Sequence, residues 1–322
     1  VIVDLPDAST RDVAQRLVQL RQEVGAMAMG RVLTLLVSVD EDGLDRAVSA
    51  ANEATRQHPA RILVVVPVNT PVDQRDDEPS DEHVEQGSPD RLDAEIRVGG
   101  DAGASEVVVL RLHGELTRHG SAVVIPLLLP DSPVVAWWPG DSEEDVAGTP
   151  LGSMALRRVT DADRCTDPAA QLRRRARYYR PGDTDLAWTR LTRWRALLAS
   201  SLDGRPYEPV TSVEVLGEPG RPSGDLLAGW LAESLRCPVT QLGTPEGSGL
   251  VGVRLVRGSG PIELIRSEDG SDTATLTRPG TPPRLVALHT PSLPEALAEE
   301  LRRLDPDEVY ARALCEGLPL VT

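Results

Sequence analysis

The stretch Arg31–Val66, RVLTLLVSVDEDGLDRAVSAANEATRQHPARILVVV, decides the fold. Its two ends, Arg31–Val39 and Arg61–Val66, are rich in Val, Leu and Ile without polar alternation, the mark of strands covered on both faces. Between them Leu44, Ala47, Val48 and Ala51 recur at helical spacing, and His58-Pro59 ends that segment. Strand, helix and strand within about forty residues form a βαβ unit with parallel strands.

Working outward, Val13, Leu17, Leu20 and Val24 place a helix before this unit, opened by Ser9 and Asp12 and stopped at Gly25. After it, residues 70–90 are acidic and nearly devoid of apolar side chains, which predicts a mobile loop. Leu92–Val98 and Glu106–Leu112 read as a hairpin turned by the Gly- and Asp-containing stretch between them. Glu115–Leu129 is expected to contain a helix, and Pro133–Trp138 a strand closed by Pro139-Gly140. Asp167-Pro168 is an N-cap followed by a first-turn proline, starting a helix that runs to about Tyr179. A second helix is predicted over Leu186–Leu202, with Leu191, Trp194, Leu198 and Leu202 on one face.

From Val210 the pattern becomes α+β. A strand (Val210–Leu216), a helix (Asp225–Leu235), short strands at Leu250–Val256, Ile262–Arg266, Thr273–Thr277 and Leu285–His289, and two helices opened by Ser292–Glu295 and Asp305–Glu308 complete the chain. The expected fold class is α/β: an N-terminal layered domain with a mixed sheet over residues 1–165, a helical connector over 166–205, and a smaller C-terminal α+β domain over 206–322.

The chain has 322 residues, enough for two cores, and 40% hydrophobic content. Phe is absent and aromatics make up 3%, so the few Trp residues stand out. The formal net charge of -16 disfavours nucleic acid and anionic lipid as partners. All 34 basic residues are Arg, which excludes Walker A, Schiff-base and general-base lysines. Cys165, Cys237 and Cys315 are widely spaced, arguing against a disulfide framework or a zinc site. No apolar run has the length of a membrane span and no signal peptide is expected, so the compartment is read as reducing and cytoplasmic.

Catalytic signatures are not found. The glycines from Gly247 to Gly260 fall in turns rather than in a strand-to-helix dinucleotide fingerprint, and no nucleophile elbow exists. His113 and His119 lie six apart, unlike paired helical metal ligands. Asp40, Glu41 and Asp42 crowd a strand end, where an α/β enzyme could place acids; a solvated helix start explains them equally. No catalytic, cofactor or metal site is therefore assigned.

One segment reverses the charge of the chain. Residues 157–205 hold twelve arginines against six acids, and Trp137, Trp138, Trp188 and Trp194 sit in or near them. Trp, Tyr and Arg dominate protein-interface hot spots. Trp137, Trp138, Trp188, Arg190, Arg193 and Arg195 are the candidate partner interface, facing an acidic protein; the competing reading is a core of Trp with Arg solvating helix faces. Trp194, in register with Leu191 and Leu198, belongs to the core.

PLLLPDSPVVAWWPG (Pro126–Gly140) and DTDLAWTRLTRWRALLA (Asp183–Ala199) resemble the two most recognisable motifs of the glucose-6-phosphate dehydrogenase assembly protein family, OpcA. The opening Leu5–Leu35 resembles its actinobacterial branch. The resemblance implies a non-catalytic assembly factor and allosteric activator, with that dehydrogenase as its protein partner and no cofactor. The alternative is a small-molecule-binding or enzymatic α/β protein using the strand ends of the N-terminal domain.

Overall fold

The computed structural model describes residues 1–23, 31–56, 58–68, 89–98, 105–205 and 207–322. The helix stop at Gly25, the hairpin turn and all but the last two residues of the acidic 70–90 stretch lie outside them. Two compact units are present, Val1–Pro139 with Ala147–Arg158, and Gly140–Val146 with Val159–Thr322.

The first unit is built on the expected βαβ core. Strands β1 (Ile2–Leu5), β2 (Leu33–Ser38), β3 (Ala60–Val68), β4 (Arg91–Val98), β5 (Glu106–His113) and β6 (Val134–Trp137) join helices α1 (Thr10–Glu23), α2 (Leu44–Ala54) and α3 (Gly120–Val124). The strands run in the order β1–β4–β5–β3–β2–β6. β2 pairs in parallel with β3 and β6, and β3 in parallel with β5, while β4 is antiparallel to both β5 and β1. Leu35, Val37, Ile62, Val64 and Val108 are fully buried, as continuous apolar runs in a covered parallel sheet require.

Two expected features are present in a particular form. The Leu92–Val98/Glu106–Leu112 pair is antiparallel as a hairpin should be, but β5 also takes β3 as a parallel neighbour and so lies inside the sheet. Glu115–Leu129 contains the expected helix as the short α3, set between two 3-10 turns, and Pro126 stops it because proline cannot continue a helical ladder. β1, IVDL, is an added edge strand whose four partly exposed residues carry little sequence pattern.

In the second unit, α4 (Pro168–Tyr178) follows the short strand β7 (Arg157–Thr160), along which the chain passes from one unit to the other. Asp167 caps α4, accepting from Ala170 N at 3.0 Å. β8 (Asp183–Asp185) leads into α5 (Leu186–Arg190) and α6 (Thr192–Leu202). These are two helices where one was expected: Leu191 N bonds Trp188 O and the Thr192 hydroxyl bonds Thr189 O, so the ladder tightens and breaks at Leu191. The helices expected as a connector over 166–205 contribute Leu172, Trp188, Leu191, Trp194 and Leu198 to the core of this unit.

That core is closed by a six-stranded sheet. β9 (Ser212–Gly217), β10 (Val239–Gly243), β11 (Leu250–Val256), β12 (Ile262–Arg266), β13 (Thr273–Arg278) and β14 (Thr281–Ala287) run in the order β10–β9–β11–β12–β13–β14. β9, β11, β12, β13 and β14 are each antiparallel to the next. β10 is an unforeseen parallel neighbour of β9, reached through α7 (Pro222–Leu235). α8 (Leu293–Arg302) starts at the predicted Ser292/Glu295 capping box. For α9 (Glu308–Arg312) the cap is Asp307 rather than Asp305: its carboxylate accepts from Val309 N and Tyr310 N, both at 2.9 Å.

Candidate functional site

The arginine-rich helices sit against acids of their own unit. The segment 141–145, DSEED, lies beside α4: Asp141 accepts from the Thr166 hydroxyl at 2.5 Å, Arg180 pairs with Asp145 at 2.6 Å, and Arg174 approaches Glu144 at 3.7 Å. Arg175 is buried and donates to the carbonyls of Glu143 and Glu144, while its Nε and Nη1 have no hydrogen-bond partner among the described residues. Burial lowers its pKa.

Beyond β8 the chain builds a buried charge cluster. Asp185 caps α5 by accepting from Ala187 N at 2.9 Å, and also accepts from Ala162 N and from the Thr160 hydroxyl at 2.6 Å. Burial, reinforced by nearby Asp161, pushes its carboxyl up to about 6. Arg190 donates two bonds of 2.7 Å to the two oxygens of fully buried Asp161, and Asp163 lies 3.5 Å away. Burial works against the Arg190 cation, but its bonds to Asp161 outweigh that and hold its pKa above the ordinary value.

Trp188 is the centre of a second cluster. Its Nε1 donates to Asp307 at 2.9 Å, Tyr310 packs at 5.8 Å, and the Arg195 guanidinium covers the ring at 3.6 Å. Burial lowers Arg195 to about 10. The Thr189 hydroxyl next to Trp188 bonds Glu300 at 2.5 Å, tying α5 to α8.

The structure therefore corrects the expected docking constellation. Trp137 and Trp138 are buried in the first unit and Trp188 in the second, so none offers a ring to a partner. Arg190 is committed to Asp161 and Arg195 to the Trp188 ring. The break at Leu191 also separates Arg190, at the end of α5, from Arg193, at the start of α6. Of the six, Arg193 alone has an exposed side chain. Spacing could not separate these cases, because the acids that claim Arg190 lie 29 and 27 positions upstream.

Two of the strand-end acids have structural partners as well. Asp40 accepts from Gly43 N at 2.7 Å, and Glu41 takes a forked pair from Arg111 at 2.7 to 3.0 Å. His113 bonds Asp93 at 3.0 Å, and His119 precedes α3. No group of His, Cys, Asp and Glu suited to a metal is found among the described residues. All three cysteines are free thiols; burial pushes Cys165 up to about 12 and raises Cys237 and Cys315. Among the described residues no helix is long and apolar enough to cross a membrane.

Two family models match this sequence. The one described as the glucose-6-phosphate dehydrogenase subunit N-terminal domain takes residues 51–177, and the one described as the C-terminal domain of that subunit takes residues 181–314. No curated protein matches. Among solved structures, a trehalose-6-phosphate protein from E. coli bound with UDP-2-fluoro glucose is similar at 11% identity and a TM-score of 0.24, over 66% of this chain and 65% of its own. That likeness is too weak to bear on fold or ligand.

Proposed function

The chain belongs to the OpcA family of glucose-6-phosphate dehydrogenase subunits, and from that premise we propose that it is a non-catalytic assembly factor and allosteric activator of this dehydrogenase, working in the cytoplasm in the oxidative pentose phosphate pathway. The observation that supports the reading is the pair of matches running from residue 51 to residue 314. Such a factor acts only by binding one conformational or oligomeric state of the enzyme more tightly than another. A tenfold shift takes about 1.4 kcal/mol of differential binding, within reach of one good interface residue.

The test is a titration of purified dehydrogenase with this protein, reading NADP reduction and, on the same mixtures, particle mass by photometry. A saturable rise in rate accompanied by a heavier particle supports the proposal; constant rate and constant mass up to micromolar concentrations refute it. Arg193 on α6 is the remaining candidate contact. Arg193→Glu is expected to leave the melting temperature within about 2 °C and to weaken activation about tenfold, with a smaller effect at high salt. Unchanged activation by this variant removes α6 from the docking surface.

A further inference from the structure

A cavity of about 660 Å³ opens on the second unit, in the size range of small-molecule sites. The turn before α4, the end of α5, the start of α7, the start of β11 and the approach to α8 all border it. Arg164, Arg190, Arg221 and Arg266 line it against one lining carboxylate, Asp163. Asp161 and Glu218 pair with these arginines, so the excess is a small positive one in a chain of net charge -16, and a concave wall focuses such a field.

The four cations are not equivalent. Arg190 is locked on Asp161, and Arg266 is held by Leu288 O at 3.2 Å and the Thr290 hydroxyl at 3.0 Å, with its guanidinium 5.5 Å from the Trp194 ring. Arg164 and Arg221 are looser. Their contacts to Asp161 and Glu218 are long, 3.4 and 3.8 Å, and each side chain is 41% exposed. Either can turn toward an anion without breaking a short ion pair. Asp163 is already engaged: it accepts from the Ser223 hydroxyl at 2.8 Å and lies beside Arg190, and burial raises its pKa.

Two further observations narrow the ligand. α7 begins at this cavity with no side-chain cap and with Pro222 in its first turn, so Ser223 carries the first amide of a helix whose positive end favours a phosphate. Ser223, Ser248, Thr290 and Ser292 line the wall beside Leu250 and Leu293; their hydroxyls are held by Asp163, Pro245 O, Arg266 and Glu295, which leaves each further hydrogen-bonding capacity. Several cations and a helix start suit a dianion; the hydroxyls and apolar strip suit a short carbon body bearing oxygens.

We infer that this cleft binds a small organic phosphate, a phosphomonoester on a hydroxylated body, with Arg164 and Arg221 as its movable clamps and Arg266 as a fixed third charge. The site is independent of the docking reading, since binding is measured on the chain alone. Calorimetric titration at low ionic strength would use glucose 6-phosphate, glucose, inorganic phosphate and a hexaglutamate peptide as probes. The expected result is one glucose 6-phosphate per chain, at least about tenfold tighter than inorganic phosphate, with no heat from glucose. Arg164→Ala with Arg221→Ala should weaken it at least about tenfold at unchanged melting temperature, whereas Arg193→Ala should leave it intact. Glucose 6-phosphate binding no better than glucose, or unaffected by the double variant, overturns the site. Inorganic phosphate binding as tightly overturns the organic body. Tighter binding of the peptide overturns the inference in favour of an acidic protein segment.

Discussion

Replacing Arg190 by alanine separates an internal tie from a docking contact. The side chain gives two 2.7 Å bonds to Asp161, which is fully buried, and lies 3.5 Å from Asp163, while Asp185 is buried nearby. With Arg190 gone, Arg164 remains at 3.4 Å from Asp161, 41% exposed. Losing one member of a buried pair costs about 3–5 kcal/mol, because the other charge stays desolvated. For a unit of this size each kcal/mol moves the melting temperature by about 2–4 °C, so a fall of roughly 6–20 °C is expected. Calorimetric melting and urea unfolding read by Trp fluorescence both measure it. Replacing the pair together, Arg190→Met with Asp161→Leu, should recover most of the loss, since an apolar pair of similar volume often matches a buried ion pair. A loss below about 1 kcal/mol, or a double variant as weak as the single one, would refute the reasoning. A variant with normal melting and impaired dehydrogenase activation would return Arg190 to the docking surface.

Asp185 makes stability depend on pH in a direction opposite to most carboxylates. Its folded pKa, about 6, lies above the ordinary 3.8, so its contribution is full below about pH 4 and is lost as pH rises through about 6. Relative to Asp185→Asn, the unmodified protein should therefore lose on the order of 3 kcal/mol between pH 4 and 7; a difference that stays flat in urea titrations across that range contradicts this. Gly229→Ala tests a close approach: helix propensity favours alanine by about 1 kcal/mol, but the new Cβ would stand 2.6 Å from Ala313 O and 3.0 Å from Leu318 N. Backbone cannot yield as a side-chain tip can, so a net loss of about 1–3 kcal/mol is expected in thermal melts, and an unchanged or raised melting point would show that the C-terminal turn moves aside. Cys165, with a thiol pushed up to about 12, should stay unalkylated by iodoacetamide at pH 7 until the protein unfolds, as peptide mass mapping would show; rapid native labelling would mean the segment opens.

What the sequence made legible follows from the range of the forces involved. β2, α2 and β3 were readable because burial on both faces leaves uninterrupted Leu, Val and Ile, and because the helical period of Leu44, Ala47, Val48 and Ala51 is local. The N-cap of α4 and the capping box of α8 were readable for the same reason: donor and acceptor lie within three residues. β10 was not, since an edge strand with four exposed residues of five has no pattern to offer. The break at Leu191 depends on a threonine hydroxyl turning back one turn, an option that apolar periodicity ignores. For the candidate interface, residue type was a poor guide, because Trp and Arg serve a core cluster and a hot spot through the same physics. Trp188 under Arg195, with its N–H on Asp307 119 positions away, is a hot-spot arrangement turned inward.

The absence of lysine sharpens that last point. Every internal carboxylate that needs a cation must take it from the same arginine pool that any outward-facing task would draw on. Burial and partner distance then become the means of dividing the pool. Arg61 on Glu106 at 2.8 Å, Arg190 on Asp161 and Arg175 on two carbonyls are structural, each with a short bond and little exposure. Arg164 and Arg221 have long contacts and open side chains, and Arg193 stands exposed on α6. An arginine whose removal strands a buried acid should register first in stability. One whose acid keeps other donors, as Asp161 keeps Arg190 and Glu218 keeps the amides of Gly247 and Gly249, should register first in binding. The Arg190 and Arg164/Arg221 variants therefore test one rule from opposite sides: melting temperature should respond to the first and ligand affinity to the second, and the reverse outcome in either would break the division.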